Sequence, residues 1–307
     1  MRRHTTDSDR CVKRLLCLCI LLMCWFTAGA VANPLIFGAG SDGNLYYITN
    51  PGSSWTPTEA TLSGGVTLPT FTDIAMYDGV LYGITGTVGS SDLYRMILSA
   101  NGTNVSSITD LGSLGTSFNA LTFSPTGVLY AAGVNTPVET ISNYGGAAGT
   151  QTVTRVGTST TSVNAAGDLE YFNGILYLTT GGEGGNSTLV TVNLTSGAIT
   201  TVGPITVSST NQENVYGLAV YGGVMYGFTS PNSGGGEIIS FGSSPSTGGG
   251  VATNVTSYGG TGRGSYTFYG ATDDPYVAVP EPATLSLVGL ALLGLGGLRG
   301  RRKKSDR

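Results

Sequence analysis

Leu169-Glu170-Tyr171-Phe172-Asn173-Gly174-Ile175-Leu176-Tyr177 is the stretch whose reading decides the fold. Leu169 and Tyr171 keep the two-residue period of a strand, which puts them on one buried face. Asn173-Gly174 is then a turn dipeptide. Gly lacks a Cβ and Asn tolerates the left-handed region, so the pair suits a tight hairpin that needs positive φ. Leu176 and Tyr177 open the returning strand.

The arrangement occurs four more times: Asp42-Gly43 before Leu45-Tyr46, Asp78-Gly79 before Leu81-Tyr82, Thr126-Gly127 before Leu129-Tyr130, and Gly222-Gly223 before Met225-Tyr226. The turn glycines lie 36, 48, 47 and 49 residues apart. Alternating strands precede the later turns at Ile74 and Met76, Leu121 and Phe123, and Leu218 and Val220. A second hairpin follows the first, in residues 189–194 and 198–202 around Thr195-Ser196-Gly197, and in 93–98 and 105–108 around Asn101-Gly102. Four short strands in about 48 residues is the size of a β-propeller blade.

The sequence therefore predicts an all-β, propeller-like domain over residues 33–278, with five or six blades and no helical periodicity. The short first repeat and the fragment Tyr266-Thr267-Phe268-Tyr269-Gly270-Ala271 point to a closing blade built from both ends of the domain. Such closure leaves a ring without free edges. A β-sandwich and an open solenoid are the competing architectures. The Gly-Val-Leu-Tyr pattern followed by a strand such as Val190 to Leu194 resembles the repeats of extracellular propeller domains, without a WD or kelch signature.

Both ends of the chain read as transport signals. Arg2, Arg3, Arg10, Lys13 and Arg14 precede an apolar run at 15–26, and small residues follow at Ala28, Gly29, Ala30 and Ala32. This is a secretory signal peptide over residues 1–32, with cleavage expected after Ala32 and Ala30 as the second choice. Lipidation at Cys17, Cys19 or Cys24 competes, but Leu16, Leu18 and Met23 stand where a small residue is needed.

At the other end, Pro280-Glu281-Pro282 abuts an uncharged run at 283–298, closed by Arg299, Arg301, Arg302, Lys303 and Lys304. The run is long enough to cross most of a hydrocarbon layer as a transmembrane helix. The basic cluster would hold its end on the cytoplasmic side and leave the preceding domain outside. Together the triplet, the span and the cluster resemble the PEP-CTERM sorting signal of exported bacterial proteins, over residues 279–307. The resemblance implies processing by an exosortase-type enzyme after export through the Sec machinery. It also implies delivery to the cell surface or an exopolysaccharide matrix, with the polysaccharide as a partner. A plain membrane anchor is the alternative.

Composition then limits the chemistry. All four cysteines and the single histidine lie before residue 25, and no lysine falls between Lys13 and Lys303. The segment 33–282 carries fifteen acids against Arg95, Arg155 and Arg263, a net charge of −12. Such a surface repels nucleic-acid phosphates, so nucleic acid is not a partner. The absence of His, Cys and Lys removes the usual bases and nucleophiles.

Carboxylates remain: Asp168 and Glu170 two apart on one strand face, Asp273-Asp274, and the single acids Asp73 and Asp92. A pair of them could act as acid and base on an extracellular glycoside, which is the enzymatic alternative to a non-enzymatic surface protein. The acids could also hold calcium, most plausibly at Asp273-Asp274, although no Asp-x-Asp-x-Asp loop occurs. A solvated, turn-forming Asp pair before Pro275 is the favoured reading there. No catalytic or metal residue is assigned, and no cofactor is expected. The repeated Tyr46, Tyr82, Tyr130, Tyr177 and Tyr226 could stack on sugars, but one tyrosine at the same place in every repeat favours packing between blades. Asn-x-Ser/Thr sites stand at Asn101, Asn104, Asn186, Asn193 and Asn254.

Overall fold

In a computed structural model the described residues are 35–49, 51, 54–86, 89–181, 187–207, 210–211, 215–229, 236–258 and 267–274. All of them fall in one compact unit, Asn33–Val277. Five sheets follow one another along this unit, each a blade, antiparallel except where Thr61–Leu62 and Thr206–Val207 add a short parallel strand to the outer edges of the second and fifth. Blade 2 runs outward through Phe71–Tyr77, Val80–Thr85, Asp92–Leu98 and Asn104–Ser113. Blade 3 comprises Ala120–Phe123, Leu129–Ala132, Glu139–Ser142 and Thr152–Arg155. Blade 4 comprises Val163–Phe172, Ile175–Thr180, Thr188–Val192 and Ile199–Pro204, and blade 5 Val215–Tyr221, Val224–Thr229, Gly236–Gly242 and Val251–Tyr258.

Blade 1 closes the ring. Its inner strand is Phe268–Thr272 from the far end of the domain, paired antiparallel with Leu35–Gly40, which leads on to Leu45–Thr49 and Thr58–Glu59. The five inner strands meet one another in ring order, so the last contacts the fifth blade on one side and the second on the other. The closing blade built from both termini is therefore present, and the blades number five.

The core divides in the same way, into one apolar cluster per blade interface. Tyr82, Leu121, Phe123 and Leu129 fill the gap between blades 2 and 3; Tyr130, Leu169 and Leu176 that between 3 and 4; Tyr177, Leu189, Leu218 and Met225 that between 4 and 5. Ile36, Ile48, Phe228 and Phe268 seal blades 5 and 1, and Phe37, Phe71, Ile74 and Leu81 seal blades 1 and 2. The inner strands are covered on both faces rather than one: beside Ile74 and Met76, the alternate residues Asp73 and Ala75 are also buried. The reason is position, since an inner strand has a neighbouring blade on each side.

All five turn dipeptides are hairpin tips, in two geometries. Asp78-Gly79, Asn173-Gly174 and Gly222-Gly223 carry positive φ at both residues, as a two-residue type I′ turn requires. At Asp42-Gly43 and Thr126-Gly127 only the Gly is left-handed. Both of these loops are longer and alike: the Gly43 N–H donates to the Gly40 carbonyl and the Gly40 N–H to the Asn44 carbonyl, as the Gly127 N–H does to the Ser124 carbonyl and the Ser124 N–H to the Val128 carbonyl.

The first motif is one strand out of phase. Four tips join the inner strand of a blade to its second strand, whereas Asp42-Gly43 joins the second strand of blade 1 to the third. Its glycine therefore sits about one strand too close to the next, which explains a spacing of 36 where the others are 47 to 49. The counterpart of Tyr82 in blade 1 is Phe37, which faces blade 2, while Tyr46 faces blade 5.

Among the described residues the only helix is the 3-10 turn Pro245–Thr247, and no helix is long and apolar enough to cross a membrane. The expected cleavage residues Ala30 and Ala32, the triplet Pro280, Glu281 and Pro282, the span 283–298 and the basic cluster Arg299, Arg301, Arg302, Lys303 and Lys304 lie outside the described residues.

Candidate functional site

Strand register places one residue of each inner strand at an equivalent level of the ring. Ile84 faces Asp73, Ala132 faces Ala120, Phe228 faces Gly217 and Ala39 faces Gly270; Asp168 precedes Leu169 as Asp73 precedes Ile74. Two carboxyls therefore share this level with Ala120, Gly217 and Gly270. The small residues make the room. A Cβ on Gly270 would overlap the Asp73 side chain, reaching 2.8 Å from its Cγ, and one on Gly217 would come 2.9 Å from the Ala271 Cβ.

Asp73 and Asp168 are wholly buried, and between them they reach all five inner strands. The Asp73 carboxyl accepts the Ile74 N–H at 2.7 Å on its own strand and the Leu121 N–H at 2.5 Å on the inner strand of blade 3. Asp168 Oδ2 accepts the Leu218 N–H of blade 5 and, at 3.2 Å, the Ala271 N–H of blade 1. The two side chains converge on the closing strand, Asp73 against Gly270 and Asp168 on the N–H of the next residue, Ala271. No neighbouring N–H or hydroxyl reaches the buried Asp168 Oδ1.

More acids surround the pair. Glu170 is 4% exposed and faces Asp273 and Asp168. Asp273 Oδ1 accepts the Val220 N–H at 2.6 Å, and Thr272 Oγ1 accepts the Met76 N–H at 3.1 Å. Asp274 takes the Asp78 N–H at 3.2 Å and the Gly79 N–H at 2.9 Å, capping the hairpin tip of blade 2. Asp273-Asp274 is thus not the solvated turn expected from the sequence. Both residues are half-buried, and they staple the closing strand to the blades on either side.

Burial first, and then the neighbouring carboxyls, set the protonation. Loss of hydration pushes Asp73 well above the ordinary carboxylate range, against the lowering effect of its hydrogen bonds. Asp168 is raised by burial and by the charge of Asp73. Glu170 is raised by burial, then by Asp273 and Asp168, and burial brings Asp273 up to about 7.

Of the acids singled out in the sequence, the structure gathers Asp73, Asp168, Glu170 and Asp273 at the hub and leaves Asp92 on the third strand of blade 2. Asp73 and Asp168 are shut away from solvent. Among the described residues no group of three or more His, Cys, Asp or Glu side chains is arranged to hold a metal ion. The repeated tyrosines are packing residues: Tyr46, Tyr82, Tyr130 and Tyr177 are buried in the interfaces, and Tyr226 is half-buried against Trp55 with ring centroids 4.6 Å apart. Sequence reasoning missed Gly217 and Gly270. A signal existed for the first, because Asp73, Asp168 and Gly217 each stand five residues before a tip, at Asp78, Asn173 and Gly222.

Fold and hub together define a five-bladed β-propeller held at its centre by carboxyl groups. Residues 75–240, more than half of the chain, match the family described as a repeat of unknown function (DUF6923), and the chain belongs to that family. Residues 278–303 match the PEP-CTERM protein-sorting motif, so the chain carries the sorting signal that its tail resembles. No curated protein matches the chain. Solved structures that match the chain include glutaminyl cyclase from Myxococcus xanthus, 16% identical over 66% of this chain and 70% of that one, with a TM-score of 0.41. TolB from Acinetobacter baumannii is 15% identical over 80% and 67%, also with a TM-score of 0.41. A GH43 glycoside hydrolase with endo-xylanase and exo-arabinofuranosidase activity is 15% identical over 68% and 48%, with a TM-score of 0.45. Likenesses this distant say nothing of activity or ligand.

Proposed function

We propose that the protein is a non-enzymatic, exported component of the cell surface or exopolysaccharide matrix, held briefly in the inner membrane by its tail and released by an exosortase-type enzyme. The observation that carries this reading is the PEP-CTERM motif at residues 278–303. A leader-like N-terminus and a segment with fifteen acids and no His, Cys or Lys fit export of a soluble, acidic cargo. The hub supports the non-enzymatic part, because its acids are occupied in joining inner strands.

The test compares wild type with Glu281→Ala in a host that has the processing enzyme, by membrane and released fractions and by mass spectrometry of the released chain. Insertion depends on the apolar run and the basic cluster, which the substitution leaves alone. The two prolines keep the segment extended, and Glu281 is its one charged side chain. Release of wild type, cut near the triplet, with retention of the variant supports the reading. Retention of both at full length makes the tail a plain anchor.

A further inference from the structure

The hub has more carboxyl oxygens than donors. Asp168 Oδ2 already receives two backbone N–H groups, and Oδ1 receives none although it is buried. Two ionised carboxylates cannot hydrogen-bond to each other, because each is acceptor only. Asp73 and Asp168 meet at one place in the closed ring, the first against Gly270 and the second on the N–H of the adjoining Ala271. We propose that the ring is locked by a proton carried on Asp168 Oδ1 and donated to Asp73, so that folding takes up protons at neutral pH and their loss loosens the inner strands.

Among the described residues, the groups facing this pair offer no other source of positive charge. On the inner strand of blade 4, Glu170 faces Asp168, Asp73 and Asp273. After the inner strand of blade 1 come Asp273 and Asp274. The inner strands of blades 3 and 5, Ala120–Phe123 and Val215–Tyr221, contain no charged residue, and Tyr216 of the latter packs on Tyr269 of blade 1 with ring centroids 6.0 Å apart. Arg95 and Arg155 lie on outer strands, and Arg95 donates instead to the Gly145 carbonyl at 3.0 Å. Four acids thus crowd a site with no base among the described residues. A proton is the smallest cation that satisfies Oδ1 while leaving the N–H bonds of Leu121, Leu218 and Ala271 in place. The direction of the carboxyl shifts agrees, and segment 33–282 has no His, Cys or Lys to obscure it in the neutral range.

The experiment uses the full-length chain in detergent, unfolded by denaturant at intervals from pH 5 to pH 9, with and without calcium. It includes Asp168→Asn, whose amide N–H2 can stand in for the shared proton, and Asp92→Asn as the control. The expected result is a wild-type folding equilibrium that weakens with rising pH, about tenfold per pH unit for each proton taken up. Asp168→Asn flattens the slope by about one proton, and Asp92→Asn leaves it alone. A wild-type slope that is flat or positive overturns the proposal, as does an unaltered slope in Asp168→Asn. A neutral-pH gain from calcium that disappears in Asp168→Asn also overturns it, since a metal then holds the hub. Should Asp168→Asn not fold, protons taken up by wild type on refolding in weakly buffered solution decide alone: uptake of about one or more supports the lock, and none removes it.

Discussion

Gly270 lies flat against the side chain of Asp73, one on the closing strand and the other on the inner strand of the next blade. A Cβ at residue 270 would sit 2.7 Å from the Asp73 Cα and overlap its carboxyl. The glycine is needed for space and not for an unusual backbone angle. Gly270→Ala is expected to cost about 1 to 3 kcal/mol by overpacking. The midpoint of denaturant unfolding checks this, and a midpoint equal to wild type would show that the hub has slack.

Gly174 is required for the opposite reason. No atom lies within 4 Å of its missing Cβ, but its φ is 81°. Gly174→Val should lower stability by about 1 to 3 kcal/mol through backbone strain alone. Thr126→Val, at a tip whose first residue is not left-handed, should be close to neutral. Equal losses in the two variants, measured by thermal unfolding, would count against the two tip geometries.

Asp273 gives a pH dependence with a defined sign. Its carboxyl is raised to about 7 in the folded chain, above the ordinary value. The folded state therefore holds the proton more tightly than the unfolded one. Its contribution to stability is complete below about pH 4 and declines as pH rises toward 7. Asp273→Asn keeps an oxygen for the Val220 N–H and removes the ionisation. The variant should gain on wild type at pH 8 relative to pH 4 in paired urea titrations, and an equal difference at both values would refute the shift.

Tyr177 and Tyr226 occupy corresponding places but not equivalent surroundings. Tyr177 is 1% exposed between blades 4 and 5, while Tyr226 is half-buried. Tyr177→Ala should cost about 3 to 5 kcal/mol, as truncation of a buried aromatic does, and Tyr226→Ala distinctly less. A reversed order in chemical denaturation would mean that the second tyrosine is the anchor.

The tips and the alternating strands were legible in the sequence because they are local: positive φ selects Gly and Asn within two residues, and burial selects every second residue. The phase of the first motif was not. Asp42-Gly43 and Asp78-Gly79 carry the same local signal, and which strands each joins is decided by the pairing of Leu35–Gly40 with Phe268–Thr272, far apart in the chain. The hub was half legible. Asp73 and Asp168 stand out as acids among apolar neighbours, and the five-residue spacing to the tip links them to Gly217, yet the room for Asp73 depends on Gly270 of the closing strand, which no local pattern connects to it.

The closing blade also sets an order of events. Blades 2, 4 and 5 each have a core of four consecutive strands, and blade 3 is interrupted only by Val134–Thr136, which pairs with blade 4, so each can form largely from local hairpins as the chain emerges N-terminus first. Leu35–Gly40 emerges early and must wait for Phe268–Thr272. Through that interval its inner edge has unpaired N–H and C=O groups, a template for any other extended strand. A chain cut short after residue 258 would keep that edge permanently and be prone to strand exchange with its own copies.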